Sequence, residues 1–148
     1  VSATQAAVAQ PSASEWSMVT QPGPPARESG VMVRDDRSSD VTSPGSRFAF
    51  VGRRGDGRAV ANWRTNTRGK IATATSVAGV PLDSRFRIRR TNLYVWSIEY
   101  STDGTSWIVL AAPTIDMGAS IVPFSGLAVA SGDPANRSTA TFDDVVVP

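Results

Sequence analysis

The clearest signal in the chain is strict alternation of apolar and polar residues. Arg85-Phe-Arg-Ile-Arg89 puts Phe86 and Ile88 on one face of a strand and three arginines on the other. Tyr94 to Tyr100 alternates in the same way, with Trp96, Ile98 and Tyr100 inward and Glu99 outward. Asp103-Gly104 then supplies a hairpin turn, and Trp107 to Ala111 returns. Upstream, Arg47 to Gly52 carries Phe48 and Phe50 on one face, Arg53 to Arg58 is a turn, and Ala59 to Arg64 is its hairpin partner. Further strands are predicted at 15–20, where Trp16 and Met18 share a face, and at 30–34, 124–131 and 139–147, with a weaker one near 70–76. Gln21-Pro-Gly-Pro-Pro25, the polar run from Asp35 to Gly45 and Val77-Ala-Gly-Val-Pro81 divide them. No stretch has helical periodicity. About ten short strands punctuated by Gly and Pro turns predict an all-β chain, an antiparallel two-sheet sandwich or jelly roll.

At 148 residues the chain is the size of one domain. Residues 1–14 are mostly Ala, Ser, Thr, Gln and Val without a pattern, which predicts an extended or disordered arm ahead of a single domain over 15–148. The first ten residues lack a basic start and an apolar block, so they do not read as a signal peptide. A leader cleaved ahead of Val1 and a GTG codon written as Val1 both fit. No run approaches the ~20 apolar residues of a membrane helix, so membrane insertion is not expected.

Composition narrows the chemistry sharply. The chain has neither cysteine nor histidine, which removes disulfides, thiolate and imidazole metal sites, and Ser-His-Asp triads. Carboxylates, hydroxyls, arginines and Lys70 remain, and the expectation is a protein that is not an enzyme and carries no cofactor. Glu15, Glu28 and Glu99 are the only glutamates, and no pair of acids stands out as a glycoside-hydrolysing couple. Asp35, Asp36 and Asp40, or Asp133 with Asn136, lack the spacing of a calcium loop, so they read as turn formers and no metal is expected. Arg54-Gly55-Asp56 likewise reads as a hairpin tip.

Of the 15 cationic residues 14 are arginine, and they are unevenly placed. Residues 47–90 hold ten arginines and Lys70 against Asp56 and Asp83, a net +9, while the remainder carries a net −7. Arg53, Arg54, Arg58, Arg85, Arg87 and Arg89 are therefore the candidates for contact with an acidic protein neighbour or a second copy. Without aromatic interleaving or a known motif, the stripe does not predict nucleic-acid binding. Trp96, Tyr100 and Trp107 are expected in the core, Trp107 covering its end. Trp63 stands beside Asn62 and Arg64, and with Tyr94 these form the glycan-binding candidates, a core or rim role being the alternative for Trp63.

Four segments carry a resemblance: Gly30-Val-Met-Val-Arg34; the strand from Tyr94 running into Ser101-Thr-Asp-Gly-Thr-Ser-Trp107; Gly126-Leu-Ala-Val-Ala-Ser131; and Ala140-Thr-Phe-Asp-Asp-Val145. In this order, over roughly residues 28–147, they resemble the concanavalin/laminin-G-like β-sandwich modules of secreted bacterial proteins, of the regulation-of-enolase and carbohydrate-binding-like type. Similar modules are appended to tailed-phage virion proteins. The resemblance implies a non-enzymatic surface module. One expectation is a virion protein, a minor tail or capsid-decoration subunit contacting other virion proteins and cell-surface glycan. The alternative is a secreted, extracellular carbohydrate-binding module of a bacterial glycoside hydrolase.

Overall fold

A computed structural model of the chain describes residues 15–22, 27–35, 45–118, 123–131, 135 and 139–147. The predicted arm, along with Asp36, Asp40, Asp133 and Asn136, lies outside the described residues. Ten strands follow in order: β1 (Glu15–Pro22), β2 (Glu28–Arg34), β3 (Phe48–Arg54), β4 (Ala59–Arg64), β5 (Ala72–Thr75), β6 (Arg85–Arg90), β7 (Trp96–Ser101), β8 (Ile108–Ala111), β9 (Phe124–Ala130) and β10 (Ala140–Val146). They form two antiparallel five-stranded sheets, β10-β1-β6-β7-β8 and β5-β4-β3-β2-β9, stacked as a sandwich. The described residues include no helix that is long and apolar enough to cross a membrane.

The two sheets contribute differently to the core. The first supplies large side chains, Trp16, Met18, Phe86, Ile88, Trp96 and Ile98, and the second mostly small ones, Val31, Val33, Ala49, Val51, Ala59 and Ala61. Bulk on one inner face against small residues on the other fills the gap between sheets at close-packed density. Trp16 and Trp96 pack with centroids 5.8 Å apart, and the Trp96 indole N–H donates to the Ile115 carbonyl at 3.0 Å.

Two boundaries differ from the sequence reading. The strand expected from Tyr94 starts at Trp96, because Arg90 Nη2 donates to the Leu93 carbonyl at 2.7 Å and holds residues 92–94 in a bend. The alternation therefore does not extend to Tyr94. In the other direction β1 runs through Pro22, where it pairs only with β10, so the missing proline N–H breaks no second ladder.

Trp107 is a correction. It does not cap the core: it lies on the outer surface of the first sheet, with the Arg87 guanidinium over its ring. The turn before it is as expected, with Gly104 at φ +79°. Asp103 Oδ1 accepts from the N–H of Ser106 at 2.7 Å, from that of Thr105 at 2.8 Å and from the Ser101 hydroxyl at 3.0 Å. These bonds hold its carboxyl well below the usual carboxylate range.

Candidate functional site

The outer face of the second sheet is unusual for a solvent-facing surface. Ala49 and Val51 of β3 point into the core, so Phe48 and Phe50 point away from it. They form a second apolar cluster with Val60, Met32 and Ala128. A trough of about 430 Å³ opens along this cluster, floored by Phe48, Phe50, Met32 and Ala128, with Ile71 half-exposed on one rim and Glu28 and Asn62 at one end.

Two glycines shape that floor. Gly30 and Gly52 face each other across β2 and β3. A Cβ on Gly30 would lie 2.0 Å from the Val51 carbonyl oxygen and 2.8 Å from the Phe50 ring, and one on Gly52 would lie 1.9 Å from the Ser29 carbonyl oxygen. Only glycine permits this approach, and the Phe50 ring occupies the space so freed.

Beyond the apolar floor runs a short polar chain. Asn62 Nδ2 donates to Glu28 Oε2 at 3.0 Å, and the Thr73 hydroxyl donates to Asn62 Oδ1 at 2.7 Å. Glu28, Asn62 and Thr73 also line an adjoining depression of about 450 Å³, where Arg27 and Arg54 form the rim. An apolar floor, a carboxylate, an amide, a hydroxyl and two guanidiniums thus meet on one face.

The glycan candidates divide across the fold. Asn62 and Arg64 share this face, since both alternate outward on β4. The Arg64 guanidinium donates to the carbonyls of Gly69 at 2.9 Å and Ser46 at 3.1 Å and stacks on Phe48, so it ties down the neighbouring loops. Trp63 points to the opposite side and packs against the main core. Tyr94 stands in the bend before β7, in the other sheet. Glu28, Thr73 and the two phenylalanines were not singled out from sequence. Their signal was the run Phe48-Ala-Phe-Val51, apolar on both faces, which predicts that both faces are covered.

The arginine candidates are largely engaged within the chain. Arg53 is a correction: it is 3% exposed, not a surface contact, and its guanidinium donates to the carbonyls of Val80 at 2.7 Å and of Pro81. Burial lowers its pKa, against the charge of Asp83. Arg54 and Arg58 bracket Asp56 at the hairpin tip, at 3.3 and 3.5 Å. On the outer face of the first sheet Arg85 pairs with Asp144 at 2.7 Å. Arg87 Nε and Arg89 Nη2 donate to the two oxygens of Glu99 at 2.5 and 3.0 Å, and Ser97 donates there as well. Glu15 lies 3.7 Å from Arg87. Glu99 does face outward, yet it is 1% exposed beneath these arginines. Burial pushes its pKa up, but the bonds from Ser97, Arg87 and Arg89, together with the Arg87 charge, outweigh burial and hold it low. The acidic remainder of the chain thus neutralises much of the basic segment internally.

Among the described residues no cluster of three or more carboxylates is placed to hold a metal. Asp35 is buried with Arg47 3.9 Å away.

No protein-family model matches the chain, and no curated protein does. Among solved structures it is similar to a Saccharomyces cerevisiae protein described as functionally unknown. The identity is 19% and the TM-score 0.61, covering 93% of this chain and 70% of that one. At that identity the likeness is one of fold.

Proposed function

We propose that this chain is a non-enzymatic attachment module that grips a saccharide on the outer face of the β5-β4-β3-β2-β9 sheet. The observation that carries the reading is the juxtaposition of the trough over Phe48, Phe50 and Met32 with the Glu28–Asn62–Thr73 chain. A pyranose has an apolar face and a rim of hydroxyls, and it binds where an apolar floor meets fixed donors and acceptors. Arg27 and Arg54 at the rim add donors for ring or carboxylate oxygens. The concanavalin/laminin-G-like resemblance of the sequence points the same way. Among the described residues that line the two depressions Glu28 is the one carboxylate, and Glu15 and Glu99 lie on the far side of the sandwich.

The carrier we favour is the surface of a tailed-phage virion, as a minor tail or decoration subunit. The alternative is a secreted glycoside hydrolase. Capsid or tail genes beside the coding sequence support the former, and a hydrolase gene the latter.

The test is a glycan-array screen followed by calorimetry on any hit. Asn62→Ala removes the centre of the polar chain and is expected to weaken binding about 10-fold or more. An array with no saccharide bound, or a hit unaffected by Asn62→Ala, overturns the assignment.

A further inference from the structure

Among the described residues the second sheet ends at β9, in an edge that lacks the usual protection. Natural sheets blunt their edges with charges, prolines, bulges or brevity. β5 and β8 are each four residues long, and β10 carries Asp143 and Asp144 and a register shift against β1. β9, Phe124-Ser-Gly-Leu-Ala-Val-Ala130, is seven residues long, has no charge or proline, and pairs with β2 in unbroken register. Apart from Ala128, its described side chains are exposed on both faces. Phe124 on the outer face is 57% exposed, and Leu127 and Val129 on the core-facing side are 47% and 41% exposed. On the core-facing side the first sheet thus leaves Leu127 and Val129 only half-covered.

The phase of its hydrogen bonds follows from the rest of the sheet. The Asp35 N–H donates to the Arg47 carbonyl, which turns the odd residues of β2 toward β3 and the even ones toward β9. Even residues of β9 are opposite even residues of β2, and the Ala130 carbonyl indeed accepts from Arg27. The backbone groups of Ser125, Leu127 and Val129 therefore point out from the open edge.

We infer that β9 pairs antiparallel with β9 of a second copy about a two-fold axis through Leu127, joining the two second sheets into one continuous sheet. In that register Leu127 exchanges both backbone hydrogen bonds with Leu127 of the second copy, and Ser125 does so with Val129. These are the residues whose groups face outward. Side chains match as well: Phe124 falls opposite Ala130 and Gly126 opposite Ala128, large against small, with outer face meeting outer face. Leu127, half-exposed on the core-facing side, packs on its own copy. The uncharged strand brings no repulsion to a self-contact. A seven-residue edge buries less than the ~800 Å² per partner of a standard interface, so the dimer is weak, with a Kd on the order of 0.1–1 mM.

Sedimentation equilibrium of the full chain from micromolar to millimolar concentration reads this directly. The mass is expected to rise toward twice the monomer, and Leu127→Lys is expected to stay monomeric throughout. Because the chain has no cysteine, Leu127→Cys carries a single thiol. Its Cα would lie ~5.5 Å from that of its copy, within disulfide range. Ser125→Cys would sit roughly 13 Å from its own copy, beyond reach. Oxidation is expected to cross-link the first and spare the second, which decides the matter even if the lysine variant fails to fold. A wild type that stays monomeric at all concentrations overturns the inference. So do masses that grow past two copies, a Leu127→Lys chain that still dimerises, or equal cross-linking at 125 and 127.

Discussion

Arg87 sits over Trp107, its guanidinium carbon 3.8 Å from the ring centroid, while its Nε and Nη2 hold Glu99 from the neighbouring strand. One side chain thereby covers the outer face of β6 and β7 and neutralises a carboxylate that water cannot reach. Cation–π stacking and the paired carboxylate both depend on the planar fork of arginine.

Arg87→Ala is accordingly expected to destabilise the domain by about 2–3 kcal/mol, because it leaves Glu99 buried with only Arg89 and Ser97 as partners. Arg87→Lys should recover only part of this. Urea denaturation of both variants, with Glu99→Gln alone and combined with Arg87→Ala, measures the coupling. A cycle in which the two losses simply add would show that the pair contributes nothing.

Stability should fall in acid through the same carboxylate. The folded pKa of Glu99 lies below its usual 4.5, so the unfolded chain binds this proton more readily than the folded one. The stabilisation is present above pH 4.5 and is lost as pH falls through the lower folded value. Glu99→Gln is expected to flatten the pH dependence of the urea midpoint in that range. An unchanged slope would place the acid sensitivity elsewhere.

Gly30→Ala and Gly52→Ala should each cost about 3 kcal/mol, near the top of the range for overpacking, since the added methyl meets backbone at 2.0 and 1.9 Å. Gly126 lies on the same outer face with open space around it, so Gly126→Ala is expected to change stability by under about 1 kcal/mol. Thermal unfolding of the three variants makes the comparison.

Arg53→Met should be tolerated better than Arg53→Ala, by about 1–2 kcal/mol. Both lose the bonds to the carbonyls of Val80 and Pro81, but methionine still fills the space over the Phe86 ring. Equal losses would mean that the hydrogen bonds, not the packed stem, hold the 77–84 loop.

Strands were legible in the sequence wherever one face is apolar and the other polar. Arg85–Arg89 is the clearest case, because alternation alone assigns each side chain to a face. It does not say what lies across from that face. Glu99 reaches Arg87 through the β6–β7 register, and Glu15 through β1, which is about seventy residues away in the chain. The charge split was visible; its internal neutralisation was not. The trough was hidden for a related reason. Phe48-Ala-Phe-Val51 is apolar on both faces, and nothing local says which apolar side meets the core. Trp63 drew attention as an aromatic among polar neighbours, yet its parity on β4 turns it inward and leaves Asn62 on the binding face.

The pairing of β1 with β10 sets the order of events when the domain is synthesised. The Thr20 hydroxyl donates to the Thr141 carbonyl at 3.0 Å across 121 positions of sequence, and β1 lies between β6 and β10. Until β10 has been made, β1 has a partner on one side only. Closure of the sandwich thus waits for β10, and contacts of such long range place it among the slow folders, on the millisecond-to-second scale. Through that interval β1, with Trp16 and Met18 on its inner face, is an unprotected edge, open to a nascent-chain chaperone.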